Sequence, residues 1–222
     1  MISKLKRLAA PKTWPIGRKG NIWVTSPTGG HNKELSIPLS VVLKELLNIC
    51  HSKKELRSLL NDSKVLVDGR VVKDKSYGLT LLDILTVKGF DNSWYLGLNT
   101  KGKLEVLEYK DASKKIVKII GKKIVKGNKL QFNLHDGRNL ITDKKASVGD
   151  SFVIEVPSNK ILKHLPLDKN AHILIIGGSH LGETATVKDF REFKGPQQDR
   201  VVLQEGKTTF ETLMDYVLVI EK

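Results

Sequence analysis

The chain is 222 residues long and 40% apolar, with 38 Lys plus Arg against 24 Asp plus Glu and a formal net charge of +14. That length allows one large domain or two to three small ones, with real cores. No run approaches the roughly 18 apolar residues of a membrane span, no signal peptide is visible, and the lone Cys50 fits a reducing, intracellular compartment.

The excess of cations is the footprint of a nucleic-acid partner. It is uneven. Residues 1–33 carry seven basic side chains and no acidic one, residues 34–88 nine against seven, residues 89–165 fifteen against eight, and residues 166–222 seven against nine. The first stretch is poor in apolar residues and rich in Gly and Pro, with too little apolar surface to offset the entropy of ordering it alone. It reads as a basic arm, residues 1–37, that orders on a phosphate surface. Trp14 and Trp23 within it are open to two readings, stacking on bases or packing into the globule.

Leu39, Val42, Leu43, Leu46, Leu47 and Cys50 then recur at helical spacing, with Pro38 at the first turn, where its missing N–H costs nothing. Ser52-Lys53-Lys54-Glu55 is a capping-box pattern. It opens a second helix with the stripe Leu56, Leu59, Leu60. Asp68-Gly69, between Val65-Leu66-Val67 and Arg70-Val71-Val72, is a strong hairpin signal. Leu79 to Val87 closes a unit of two helices and a short sheet over residues 38–90.

From Trp94 the pattern becomes short alternating segments with turns, an all-β module over residues 91–166. Leu104 and Val106 share a strand face. Lys114 to Lys126 reads as two strands joined tightly at Gly121. Phe132 and Leu134 precede the turn His135-Asp136-Gly137-Arg138, and Phe152, Ile154 and Val156 alternate up to Pro157. A last unit, residues 167–222, has strands at 173–176, 184–187, 200–203 and 216–220, and suggests a small barrel.

The chemistry-bearing patterns are few. Lys53, Lys54 and Arg57 flank a helix start, where free N–H groups and the dipole favour phosphate. Lys64, Arg70, Lys73 and Lys75 could extend that surface, and a solvated charged face is the plain alternative. The lysines between 110 and 129 exceed what edge-strand protection needs and read as lining an RNA groove. Gly177-Gly178-Ser179-His180-Leu181-Gly182 lacks the Gly-Lys-Ser/Thr of a P-loop and is followed by a strand, so it reads as a connecting loop. The two Asp-Gly-Arg triplets read as turns. The six scattered histidines and one cysteine show no metal-ligand spacing. No catalytic residue, cofactor, metal or small-molecule substrate is expected.

At these residues the chain resembles the archaeal and eukaryotic small-subunit ribosomal protein family S4e. Leu5-Lys6-Arg7-Leu8-Ala9-Ala10-Pro11-Lys12 with Trp14 resembles that family's N-terminal signature. Pro38-Leu39 with the two helices and Val65-Leu66-Val67-Asp68-Gly69-Arg70 resembles its S4-type RNA-binding domain. Asn99-Thr100-Lys101-Gly102 and His135-Asp136-Gly137-Arg138 are similar to its central β domain, and Gly177-Gly178 with Leu181-Gly182 to its C-terminal KOW module. Two departures stand out: Gly29-Gly30-His31-Asn32-Lys33 where relatives tend to have Gly-Pro-His-Lys, and Ala185 where the KOW pattern often has glycine. Ending at Lys222 without the basic extension of eukaryotic members, the chain is expected to be archaeal-type.

The resemblance implies an α+β multidomain, non-enzymatic constituent of the cytoplasmic small ribosomal subunit. It would bind 16S-type rRNA and neighbouring small-subunit proteins, and no membrane. The residues expected on RNA are Lys4, Lys6, Arg7, Lys12, Trp14, Arg18, Lys19, His31 and Lys33 in the arm. In the helical domain they are Lys53, Lys54, Arg57, Lys64, Arg70 and Lys73, and beyond it Lys114, Lys115, Lys118, Lys122, Lys123 and Arg138. Two rivals follow from the same features: an RNA-modifying enzyme of the pseudouridine-synthase kind that carries the same helical domain, and a transcription or translation factor with a KOW barrel.

Overall fold

The N-terminal segment packs into a core. In the computed structural model, which describes residues 5–221 except 30, 110, 126, 128, 194, 196 and 207, strand β1 (Leu5–Lys6) pairs with β2 (Trp23–Val24), Leu5 opposite Val24 and Lys6 opposite Trp23. Successive strand residues face opposite sides. Leu5 and Val24 therefore lean on the core, while Lys6 and Trp23 face out. Between the strands Ala10, Trp14 and Ile16 are buried in the same core. The Trp14 indole N–H donates to the carbonyls of Lys33 and Ser36 at 3.1 and 2.8 Å, which satisfies its one polar atom. The expectation of an arm ordered only by phosphate fails for these residues. A few apolar anchors, too irregular to show a period, seat on surface supplied by the rest of the chain.

The chain divides into two compact units, residues 1–99 with 103–115, and residues 100–102 with 116–222. In the first, β3 (Ser36–Pro38) leads into one α turn, α1 (Leu39–Val41), and then a wider turn, Val42–Leu46, closed by the Leu47 N–H on the Val42 carbonyl. The first helix is thus shorter and wider than its apolar spacing predicts, and Asn48 at φ 52° ends it. Helix α2 (Lys53–Asn61) carries the expected capping box: Ser52 Oγ accepts the Glu55 N–H at 3.1 Å, and the Glu55 carboxylate accepts the Ser52 N–H at 3.4 Å, with the His51 N–H also donating to it at 2.9 Å. Beyond its end Lys64 N–H bonds the Leu59 carbonyl and Ser63 N–H that of Leu60, with Ser63 at φ 55°, a Schellman closure.

The hairpin β4 (Val65–Val67) and β5 (Arg70–Val71) turns through Asp68 and Gly69 at φ 50° and 71°, the two positive angles of a type I′ turn. Strand β6 (Gly78–Thr80) returns to pair with β3. Then β7 (Ile84–Val87), β8 (Ser93–Leu98) and β9 (Leu104–Tyr109) complete a five-stranded sheet ordered β5-β4-β7-β8-β9. Trp94 sits on β8 opposite Leu85. The change of pattern there marks the next hairpin of this sheet.

Strand β10 (Lys114–Val125), in the second unit from Ile116 on, is one strand where the sequence suggested two. Its register shifts between Ile119 and Gly121, so Ile120 is the extra residue of a bulge and Gly121 continues the strand instead of turning it. With β11 (Lys129–Leu134), β12 (Asn139–Thr142), β13 (Ser151–Glu155) and β14 (Ile161–Leu165) it forms a sheet ordered β12-β11-β10-β13-β14 over Val117, Ile119, Phe132, Phe152 and Ile154. A third five-stranded sheet, ordered β18-β17-β16-β15-β19, contains β15 (His172–Ile175), β16 (Thr184–Arg191), β17 (Arg200–Glu205), β18 (Thr208–Leu213) and β19 (Val217–Val219). Ile173, Ile175, Val187, Val201 and Leu203 fill its core. The protein is mostly β with two short helices.

Candidate nucleic-acid interface

Several of the cations expected on RNA are committed inside the protein. Lys115 is fully buried, its Nζ 2.7 Å from Asp68 Oδ2 and 2.6 Å from Asp83 Oδ1. Asp68 also accepts the Ile84 N–H at 2.9 Å and Asp83 the Thr80 N–H at 2.7 Å. Burial pushes the Asp68 carboxyl up against the pull of Lys115. Lys118 is buried and donates to the Asp215 and Met214 carbonyls at 2.7 and 3.2 Å; loss of water lowers its pKa to about 8. Arg7, also buried, donates to the Glu45 carboxylate and the Gly17 carbonyl.

Others are engaged nearer the surface. Arg18 gathers carbonyls at the end of the first turn, with Ala10 at 2.6 Å and Pro11 at 2.7 Å. Arg138 is held by Asn159 at 3.0 Å and Asp136 at 3.4 Å within its turn. Lys122 donates to the Ala146 carbonyl at 3.0 Å and lies over the Phe132 ring. Buried cations and a buried indole cannot meet a phosphate or a base without unfolding, so Arg7, Trp14, Lys115 and Lys118 leave the candidate surface. Lys4, with Lys110 and Lys126 of the lysine-rich stretch, lies outside the described residues.

What remains is displayed. On α2, Leu56 and Leu60 face the core, which leaves Lys53, Lys54 and Arg57 exposed. Spacings of three and four residues make Arg57 the neighbour of both lysines on one helix face. Among the described residues no carboxylate pairs with any of the three. Glu55 in the same turn is occupied by its backbone bonds, chiefly the His51 N–H, which hold its carboxyl below the usual range. Lys6, Lys12, Lys19, Lys33, Arg70, Lys73 and Lys123 are likewise exposed, and His31 is half-buried. Lys64 and Lys114 are exposed but share their charge with Asp62 and Asp111, at 3.1 and 3.5 Å.

The third sheet differs. Lys169 pairs with Asp189 at 2.8 Å, Arg191 with Glu211, and Arg200 with the same Glu211 at 3.8 Å. The Gly177–Gly182 stretch connects β15 to β16, as expected. A Cβ on Gly177 would lie 2.5 Å from the Tyr216 ring, so that glycine is there for close packing. No cluster of three or more His, Cys, Asp or Glu capable of holding a metal occurs among the described residues.

Fold and surface together define a class: a mostly β, strongly basic protein whose unpaired cations gather on its first unit. The comparisons narrow the class. The model of "Ribosomal family S4e" matches residues 91–161, and that of the RS4NT domain residues 3–34. The small ribosomal subunit protein eS4 of Methanocella arvoryzae is 36% identical over 98% of this chain and 94% of its own length. That of Archaeoglobus fulgidus is 34% identical over 98% and 92%. The crystal structure of the 30S ribosomal protein S4e from Thermoplasma acidophilum superposes with a TM-score of 0.72 at 30% identity, covering 84% of this chain and 95% of that one. The chain belongs to the ribosomal protein family S4e.

Proposed function

We infer that this chain is a structural constituent of the small ribosomal subunit, not an enzyme, and works in the cytoplasmic ribosome alongside rRNA and other ribosomal proteins. One observation carries the reading: relatives named as small-subunit proteins match it across 98% of its length. The finer proposal is that it grips 16S-type rRNA through distributed Lys and Arg, with the unpaired Lys53-Lys54-Arg57 face of α2 and the exposed lysines of the N-terminal segment as principal contacts. Arg70, Lys73 and Lys123 extend that surface. Such binding works by releasing counterions, and six to ten contacts would cost about 10³- to 10⁵-fold in affinity between 50 and 200 mM salt. The third sheet is read as a KOW-type barrel. Its pairing of cations with acids supports a face that meets protein or solvent more than RNA.

Co-sedimentation tests the reading. A constituent stays on high-salt-washed small subunits at one copy per subunit. A protein that washes off completely behaves as a factor, and the proposal falls.

A further inference from the structure

Three of the most exposed large apolar side chains lie together at the N-terminal end of the first unit: Leu8 at 77%, Ile22 at 71% and Trp23 at 52% exposure. The topology brings their backbone segments together. Lys6 stands directly across from Trp23, and the Arg7 N–H bonds the Ile22 carbonyl. Directly opposed residues of an antiparallel pair bring their Cβ atoms to about 5 Å, so the Lys6 ammonium and the Trp23 ring share one outward face. The ribbon buries its other face through Leu5 and Val24. The exposure of Trp23 is therefore fixed by register and is not a frayed end. The surroundings are cationic: Lys12 and Lys19 follow directly on Pro11 and Arg18, which are joined at 2.7 Å. No acidic residue occurs in residues 1–33, and the Glu45 carboxylate that reaches this segment is neutralised by Arg7.

We propose that Trp23 is a stacking platform for one unpaired base of the ribosomal RNA, with Ile22 and Leu8 packing beside it and Lys6 on the adjoining phosphate. An aromatic face framed by cations suits nucleic acid, because every base offers a π-face and every nucleotide a negative charge. A protein partner on the same patch would need acidic groups for these lysines and an apolar face for the ring. The inference rests on the ribosomal reading, and goes beyond it by assigning a base-contacting residue that is not itself charged.

The full chain is titrated with a small-subunit rRNA transcript, and Trp emission is followed with acrylamide as quencher. Trp14 and Trp94 are buried, at 1% and 7% exposure, so the accessible emission is that of Trp23. Binding should quench it and shield it. Trp23→Ala should weaken binding about 5- to 150-fold, the span expected for one stacked base, with the salt dependence unchanged because no charge is lost. Trp23→Phe should keep most of the affinity and Trp23→Leu little of it, which separates stacking from apolar burial. Lys6→Ala should reduce the salt slope by about one contact. Equal affinity of Trp23→Ala and the parent protein, or acrylamide access that persists at saturation, overturns the proposal and leaves the ribosomal reading standing. Shielding seen only in assembled subunits assigns the patch to a neighbouring protein and overturns it too. If the parent chain ignores the transcript even at low salt, the RNA-binding reading fails and this inference with it.

Discussion

Replacing Lys115 by methionine keeps the length of the stem and removes its charge. It leaves Asp68 and Asp83 buried, each with one backbone N–H (from Ile84 and Thr80) but without the ammonium that lies within 2.7 Å of both. Removing one partner of a buried ionic cluster costs about 3–5 kcal/mol, a large part of the 5–15 kcal/mol typical of a whole domain. A second estimate agrees. If one stranded carboxylate escapes by taking up a proton, protonating it at pH 7 from an ordinary value near 3.9 costs about 4 kcal/mol, and at pH 5 only about 1.5. The folded variant then binds more protons than its unfolded chain, so its stability rises as pH falls toward 4. Tryptophan emission reports this unit selectively, since Trp14, Trp23 and Trp94 all lie in it.

Urea denaturation of Lys115→Met followed by that emission should therefore show a loss of about 3–5 kcal/mol at pH 7.5. At pH 5 the loss should shrink by about 2 kcal/mol or more. The triple variant with Asp68→Asn and Asp83→Asn should recover much of it. A loss below about 1 kcal/mol, the range of a surface ion pair, or one that does not change with pH, would refute the cluster as a buried lock.

Charge reversal at Lys53→Glu with Arg57→Glu should weaken rRNA binding and lower the salt slope by at least about two contacts while leaving the circular dichroism spectrum intact, as read by filter binding across a salt series. Lys118, with its pKa lowered to about 8 by burial, binds fewer protons folded than unfolded. Its burial therefore costs stability below pH 8, and the cost is relieved as pH rises toward 10.5. Relative to Lys118→Met, the parent protein should gain up to about 3 kcal/mol over that window in denaturation followed by circular dichroism. Cys50 is fully buried, and burial first, then Glu55, raises its thiol pKa. It should ignore a disulfide reagent in the native protein and react at once in urea.

Local chemistry was readable from the chain wherever one short stretch contained all the partners. The capping box at Ser52 and Glu55 and the positive-φ turn at Asp68 and Gly69 needed no distant information. Lys115 did: its partners stand 47 and 32 residues away, and in sequence it cannot be told from Lys114, which is exposed. Trp14 was missed for the same reason, since its hydrogen-bond acceptors lie 19 and 22 residues on. Strand β18 was missed because its two apolar residues, Phe210 and Leu213, stand three apart and so break the period of two; pairing along β17 defines it. The apolar spacing of residues 39–50 was real, but helical spacing does not reveal that only one α turn forms before the backbone widens at Val42–Leu46.

Net charge is therefore a poor guide to where a polyanion would sit. The same residue type performs opposite tasks here: Lys115 and Lys118 close the protein, each satisfied by internal oxygens, while no carboxylate among the described residues pairs with Lys53 or Lys54. For a phosphate to reach Arg191 it must first displace Glu211, and the new contact gains only the difference between two similar ion pairs. For a phosphate to reach Arg57 nothing is displaced but water and counterions, whose release is the favourable term. Over short distances, then, the acids beside each cation decide which surface is available, and they leave α2 and the N-terminal ribbon open while closing most of the third sheet. The helical unit holds nearly balanced charge over residues 34–88, nine basic against seven acidic, yet it presents the barest cationic face, because Asp68 and Asp83 are spent on Lys115 and Glu55 on its own helix cap.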